Sequence, residues 1–444
     1  MSVLDVVKTI QESVPIPKWK VTTGNIGTGV FVSSTVFDEW TIYEYKETST
    51  WCIFGSGEGY LYFELAKRLV DAGHDPVVIF TSGMLVAFDI DSDSINIIKD
   101  KVENLYSIDR NSITVYNRDY FELEEEMKFD NFIINPPYLD GSAGNIPVTH
   151  KHTEVVHNHW NKKGKGVVIT KSAPALSNER YGDIVRNFVI STNYNGSKAR
   201  FLPDDAFPNA IVRSWYLLFD GNKESSTVEV YGKDGTLQYI FNKGDDEYIF
   251  PTKTVRDIVT LLGTDKNIES LYPVKRVDSL IKYNKQVNSI VLIDNGKKTL
   301  EKTNQVHKDF GKIGFGMRFQ VGGDVTDAFR SHTQHSCLIL NDETIKKDYA
   351  VCSSEEKDVK DQLLDAKSSL YQIQHPLNAW IHAFTRTSEQ SSRSPQFKFC
   401  CRIPFSEFYR LWPEGNPSIT EYFDYWKISE KNQNEIMAWY SKYV

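Results

Sequence analysis

Between about residues 50 and 220 short apolar runs alternate with amphipathic stretches. TWCIF runs into a glycine turn, and YLYFELAKRLVDAG carries Leu61, Leu65, Leu69 and Ala72 at helical spacing before stopping at Gly73. MLVAFD, SITVYN, FDNFII and KGVVIT have the apolar, β-branched character of strands, with DSINIIKDKVENLYSI as a helix among them. Strands alternating with helices predict an α/β fold with a parallel, doubly wound, Rossmann-like sheet. Such a sheet binds ligands at the carboxyl ends of its strands, around the point where the strand order reverses. Beyond about residue 220 the texture changes. STVEVYGKDGTLQYIF predicts a hairpin turning at Lys233-Asp234-Gly235, lysine- and glycine-rich turns follow, and SITEYFDYWKISEKNQNEIMAWYSKYV predicts a helical, aromatic end packed in a core. The expected organisation is a domain over 1–220, with 1–50 as an N-terminal extension, and a mixed α/β region over 221–444. No internal repeat is evident.

Composition adds limits. The 444 residues are 40% hydrophobic and 25% charged, enough for two or three globular domains. No run of eighteen apolar residues occurs and the N-terminal stretch carries acids where a leader would be apolar, so a soluble, unprocessed protein with no membrane partner is expected. Five scattered cysteines without a CxxC pair point to a reducing cytoplasm. The net charge of −8 argues against a nucleic-acid coat protein, but residues 1–150 hold 11 Lys/Arg against 23 Asp/Glu, leaving 40 against 36 afterwards. Contacts with a polyanion would therefore fall in the later part.

The chemistry is concentrated at strand ends. FGSGEGYL, from Phe54, follows an apolar strand and opens a helix; its glycines allow close approach of a ligand to the backbone and to free helix N-terminal amides. AFDID ends the next strand, and the Asp89 carboxylate there can take two hydrogen bonds from a ribose diol, while Asp91 and Asp93 suit the start of the following helix. NRDYF ends the third strand with Asp119, an acceptor for an adenine amino group. FDNFIINPPYL then closes a strand on Asn135, Pro136, Pro137 and Tyr138. Proline donates no ladder bond, and Pro137 forces Pro136 to be extended. The Asn135 side-chain oxygen and the Pro136 carbonyl are thereby two fixed acceptors able to grip an –NH₂ group, with Tyr138 as a stacking face.

In order and character these four segments resemble the S-adenosylmethionine-dependent methyltransferases of the NPPY type, closest to the N6-adenine DNA methyltransferases with gamma-class motif order. The resemblance covers about residues 24–220. It implies that Phe54, Gly55, Ser56, Gly57 and Gly59 line the methionine part of S-adenosylmethionine. Asp89 with Ile90 would hold the ribose side, and Asp119 with Tyr120 the adenine. Asn135 with Pro136 and Pro137 would grip the target amine, and Tyr138 and Phe207 would wall an adenine extruded from the duplex. GTGVFVSS is similar to the family's upstream cofactor motif, implying Thr28, Phe31 and Ser33 as contacts, although Ser33 and Ser34 stand where the family has Thr-Pro. A second departure is sharper: the acid the family carries on the strand entering the glycine turn is replaced by Trp51 or Ile53.

The implied activity is site-specific methylation of adenine in double-stranded DNA, in the cytoplasm of a prokaryotic or phage-infected cell, as part of a restriction-modification or orphan system. The 221–444 region would supply target recognition, and a separate restriction endonuclease is a possible partner. Candidate phosphate or base contacts are Lys275, Arg276, Lys282, Lys285, Lys297, Lys298, Arg386, Arg393 and Arg402. Two alternatives stay open: methyl transfer to RNA or to a protein glutamine, and a methyltransferase-like DNA-binding subunit whose cofactor site has decayed. THKHTEVVHNHW is read as the helix after NPPY rather than as a metal site, because methyl transfer to an amine needs no metal. Neither the DNA target sequence nor the oligomeric state follows from these motifs.

Overall fold

In the computed structural model the described residues are 49–137, 148–176, 182–202, 214–221, 226–245, 248–263, 368, 371–372, 375–385 and 397–443, together with the backbone of six strands between 274 and 353. The chain divides into two compact units, Met1–Ile249 and Phe250–Val444.

The first unit is built on a nine-stranded sheet of order β3-β2-β1-β4-β5-β7-β6-β8-β9. Its strands are β1 Trp51–Phe54, β2 Leu85–Asp89, β3 Val115–Asn117, β4 Asn131–Ile134, β5 Lys165–Lys171, β6 Gly196–Phe201, β7 Ser214–Asp220, β8 Thr227–Tyr231 and β9 Leu237–Asn242. β3, β2, β1, β4 and β5 run parallel and β7 runs against β5. The order counts down from β3 to β1 and then up from β4, so the switch point lies between β1 and β4. Rossmann-like α/β architecture is thus realised as the alternation of strands and helices implies.

Side-chain alternation assigns the two faces. Trp51, Ile53, Leu85, Ala87, Ile133, Val167 and Ile169 share one core with helices α1 Tyr60–Asp71, α2 Pro76–Thr81 and α3 Ser92–Tyr106. The intervening residues point the other way: Phe54 meets Phe88, Phe129 and Phe132, and Phe132 packs edge-on against Trp160. That second face is covered by helix α4 Thr149–Asn158, with α5 Gly182–Ile190 further along the chain. The amino end of β4 is fixed by polar contacts, since the Asp130 carboxylate accepts from the Thr50 amide at 2.8 Å and Asn131 Oδ1 accepts from the Lys165 amide at 2.8 Å.

The hairpin forms at the expected turn, with Gly235 at φ 77 and Gly232 donating to the Thr236 carbonyl. It does not start a second domain. β8 pairs in parallel with β6 and extends the first sheet, moving the division from residue 220 to Ile249.

The second unit contains an antiparallel six-stranded sheet of order β10-β15-β13-β14-β11-β12. These strands are β10 Val274–Arg276, β11 Asn288–Asp294, β12 Lys297–Thr303, β13 Ile313–Arg318, β14 His335–Leu340 and β15 Tyr349–Ser353. Its helices among the described residues are α6 Lys253–Leu262, α7 Pro376–Thr385, α8 Phe405–Leu411, α9 Ile419–Tyr425 and α10 Glu430–Tyr443. Tyr422, Phe423, Trp380, Ile381 and Ile436 are buried, so the aromatic end is core packing as expected. Side-chain amides stand in for a strand at its centre: Asn378 Oδ1 accepts from the Cys401 amide at 2.9 Å, and Gln372 Oε1 from the Ile403 amide at 2.6 Å. Arg402 lies in this interior, 3% exposed, and is thereby removed from the candidate phosphate contacts.

Candidate active site

Register brings the strand-end motifs into one row. Phe54 pairs with Phe88 on one side and Ile134 on the other, Asp89 pairs with Asn117, and Ile134 pairs with Val168. The next residue on each central strand, Asp89 on β2, Gly55 on β1 and Asn135 after β4, therefore sits at the same level across the switch point. The glycine turn and the NPP segment are neighbours although 80 residues separate Gly55 from Asn135.

The glycine turn is held by main chain. Gly55 and Ser56 both donate to the Phe88 carbonyl, at 2.9 and 3.1 Å, and Gly59 donates to the Ser56 carbonyl at 3.1 Å. Gly55, Gly57 and Gly59 have φ of 68, 50 and 92, where side chains are disfavoured. Two of these glycines do different jobs. A Cβ on Gly55 would meet nothing within 4 Å among the described residues, so they leave the turn open there. A Cβ on Gly59 would lie 2.7 Å from Ile98 Cγ1, so Gly59 is needed for the approach of α3.

Asp89 ties the turn to β2. Its Oδ2 accepts from the Gly57 amide at 2.7 Å and its Oδ1 from the Asp91 amide at 2.9 Å. Burial raises its pKa above the ordinary 3.8, opposed by those amide bonds. Asp91 caps α3 through the Ser94 hydroxyl and amide. Ile90, beside Asp89, is 46% exposed and presents an apolar face. The end of β3 is bound to the same place, with Asn117 Nδ2 and the Arg118 amide donating to the Asp89 carbonyl at 3.1 and 2.9 Å. Asp119 starts a short 3-10 turn by accepting from the Phe121 amide at 2.9 Å.

Two residues of the expected cofactor set are core groups. Phe54 is fully buried, edge-on to Tyr120 at 5.5 Å, so what it can offer a ligand is main chain. Tyr120 is buried too, and its hydroxyl is bonded to His152. Ser56 differs: its Oγ is buried and makes no hydrogen bond among the described residues. A buried hydroxyl without a partner, beside open space at Gly55 and a half-buried carboxylate, fits a polar ligand with an extended tail and a diol, as S-adenosylmethionine has.

Asn135 is half-buried and Pro136 buried at the end of β4. Tyr138 and Phe207 lie outside the described residues, as do Thr28, Phe31 and Ser33. Trp51 and Ile53 are 2% and 0% exposed in the core shared with α1–α3, so a carboxylate at either position would be buried among apolar groups. Near the turn, acid is instead available at Asp89 and at the half-buried Glu58.

The histidine-rich segment forms α4 as expected. His152 faces Tyr120, whereas His159 Nδ1 donates to the Met127 carbonyl at 2.9 Å. Among the described residues no group of three His, Cys, Asp or Glu could hold a metal ion, and no helix is long and apolar enough to cross a membrane.

No protein-family model matches the chain, and no curated protein matches it. Its fold is similar to several solved structures. A type I restriction-modification methyltransferase subunit from Streptococcus thermophilus matches at TM-score 0.36 and 13% identity, over 45% of this chain and 45% of that one. The type IIG restriction endonuclease BpuSI matches at TM-score 0.41 and 10% identity, over 81% and 56%. A class I S-adenosylmethionine-dependent methyltransferase from Listeria monocytogenes, itself described as putative, matches at 0.38 and 15%, over 52% and 73%. The chain thus spans under half the length of the first of these, and likeness at this level assigns no activity.

Proposed function

We propose that the chain transfers a methyl group from S-adenosylmethionine to N6 of an adenine flipped out of double-stranded DNA. The observation that carries this reading is the row of Asp89, Gly55 and Asn135 across the switch point, which sets a diol acceptor, an open glycine turn and an amine-gripping segment side by side. S-adenosylmethionine, when bound, supplies a methyl group activated by a sulfonium. The chain's own groups do the rest. Ser56 Oγ and the turn's main chain hold the amino-acid tail, Asp89 accepts from the ribose, and Ile90 and Asp119 meet the adenine's face and edge. Asn135 Oδ1 and the Pro136 carbonyl would accept hydrogen bonds from the two N–H groups of the target amine, aiming its lone pair at the methyl carbon without a covalent intermediate; as the N–C bond forms the S–CH₃ bond breaks, and the nitrogen then gives up one proton to solvent. The family resemblance adds Tyr138 and Phe207 as walls for the base and Thr28, Phe31 and Ser33 as further cofactor contacts. Residues beyond the catalytic unit read the DNA; their phosphate contacts are drawn from Lys275, Arg276, Lys282, Lys285, Lys297, Lys298, Arg386 and Arg393. A long second unit suits a DNA substrate better than a protein glutamine, whose modification needs little chain beyond the catalytic fold.

Transfer of labelled methyl groups tests the proposal. Incorporation into duplex DNA is expected, falling about a hundredfold or more in Asn135→Ala, the order seen when one charge-stabilising contact is removed from an active site. Incorporation only into RNA or protein would overturn the choice of DNA. Absence of S-adenosylmethionine binding by calorimetry would support the decayed-subunit alternative.

A further inference from the structure

On the far side of Pro136 from the glycine turn, the sheet end continues into a row of buried groups. Ile134 pairs with Val168 in parallel, so Pro136, two residues on, lies level with Thr170 near the carboxyl end of β5. Thr170 pairs with Trp215 near the start of β7, and Trp215 with Phe201 at the end of β6. The row of Pro136, Thr170, Trp215 and Phe201 therefore crosses the same end of the sheet at which the target amine is gripped. Thr170 and Trp215 share the face opposite Ile169 and Tyr216, which belong to the core under α1–α3. Helix α4 starts against them, with the Thr149 and Thr170 hydroxyls 3.5 Å apart.

An indole N–H can donate and cannot accept. Trp215 is 0% exposed, and its Nε1 makes no hydrogen bond among the described residues. The Thr170 hydroxyl on the residue directly opposite does not take it, and the Phe201 ring on the other side, 5.8 Å away, offers no acceptor atom. A buried donor left unmet costs about as much as a lost hydrogen bond, and an acceptor that arrives with a ligand removes that cost.

Distance and chemistry select the ligand. Trp215 stands two strands from the level of Pro136, and strands about 4.8 Å apart put roughly 10 Å between them. A purine held at its amine by the Pro136 carbonyl, with a hydrogen bond of about 2.9 Å at each end, spans that gap. The ring nitrogens of adenine are acceptors, which is what an indole N–H requires.

Resting on the methyltransferase reading, we infer that Trp215 is a specificity-determining residue whose N–H donates to a ring nitrogen of the adenine gripped by Asn135 and Pro136. The bond forms only with a base in place, so it favours the oriented substrate. A base with carbon at that ring position leaves the donor buried and unmet, and is rejected on that account.

Methyl transfer into duplexes with adenine, 1-deazaadenine, 3-deazaadenine or 7-deazaadenine at the methylated position tests the inference. The wild type is compared with Trp215→Phe and with a chain carrying benzothienylalanine at 215, whose sulfur replaces the indole N–H at nearly equal volume. Circular dichroism establishes folding, and the near-isosteric chain carries the test if Trp215→Phe does not fold. One analogue is expected to lower wild-type kcat/KM about tenfold or more, and both variants should lose a similar factor on adenine. In the variants that analogue should cost nothing further, because donor and acceptor make one bond. A structural role alone would lower transfer to all the duplexes alike, and that result overturns the inference. Wild-type transfer undiminished by every analogue overturns it too, as does an analogue loss that persists in full in the benzothienyl chain. Absence of transfer to adenine by the wild type sinks the functional reading and this role with it, whereas adenine transfer insensitive to the analogues removes the role of Trp215 alone.

Discussion

At Gly59 the backbone sits at φ 92 and any Cβ would press on Ile98 and Phe63. Gly59→Ala is therefore expected to destabilise the first unit by about 1–3 kcal/mol, from overpacking added to backbone strain. The urea midpoint measures this, and an unchanged midpoint would refute the tight packing of α3 on the turn. Asp89 has a different kind of role, holding the Gly57 and Asp91 amides from a partly desolvated position. Asp89→Ala should weaken S-adenosylmethionine binding about tenfold or more, since it removes a charged acceptor and frees the turn. Because burial raises the Asp89 carboxyl, wild-type affinity should begin to fall on acidification at a higher pH than an ordinary carboxylate would give. These residues are legible in the sequence because strand-end acids, glycines and NPP act through local chain chemistry. The Tyr120–His152 bond is not, because its partners are 32 positions apart and lie in segments that point to each other only once folded. The same applies to Phe54, which is core on the face opposite Trp51 and Ile53: its motif position suggests a ligand contact, and the pleat leaves only its main chain to make one.

Among the elements, the five parallel strands and their long helices can be read because apolar runs and helical spacing agree. Helix α2 is not visible in the same way. PVVIFT is a β-branched, apolar run that looks like a strand, yet Asp75 accepts from the Val77 amide at 2.7 Å and Pro76 occupies the first turn, a start signal that outweighs propensity over six residues. The hairpin is legible as a hairpin but its membership of the first sheet is not, since pairing of β8 with β6 is long-range and leaves no local trace. The antiparallel order of the second sheet is likewise beyond what turn composition can specify. In α9, Ser418 and Glu421 form a capping box, with the Glu421 amide donating to Ser418 Oγ at 3.2 Å and the Ser418 amide to Glu421 Oε2 at 2.7 Å. Ser418→Ala should cost the second unit about 1 kcal/mol. Thermal unfolding checks it, and a loss no larger than that of a neutral surface change would contradict the cap.

Three imidazoles among the described residues make stability depend on pH. His152 and His157 in the first unit and His375 in the second are each held down to about 4, chiefly by burial. His375 is committed as a neutral ring, with Nε2 donating to the Ile419 carbonyl at 3.0 Å and Nδ1 accepting from the Leu377 amide at 3.2 Å. A folded-state value below the unfolded one of about 6.5 means that the unfolded chain binds more protons between those limits. The stability these rings contribute is thus complete above about pH 6.5 and is lost as the solution is acidified towards pH 4, each ring giving up about 1.4 kcal/mol for every pH step of one between those limits. Urea midpoints should drop steadily from pH 7 to 5; a flat or rising trend would contradict neutral burial. If the row of Asp89, Gly55 and Asn135 methylates adenine, mass analysis of nucleosides from the DNA of cells expressing the chain will find N6-methyladenine with the wild type and none with Asn135→Ala; DNA without N6-methyladenine from cells making folded wild-type protein would refute the proposed function.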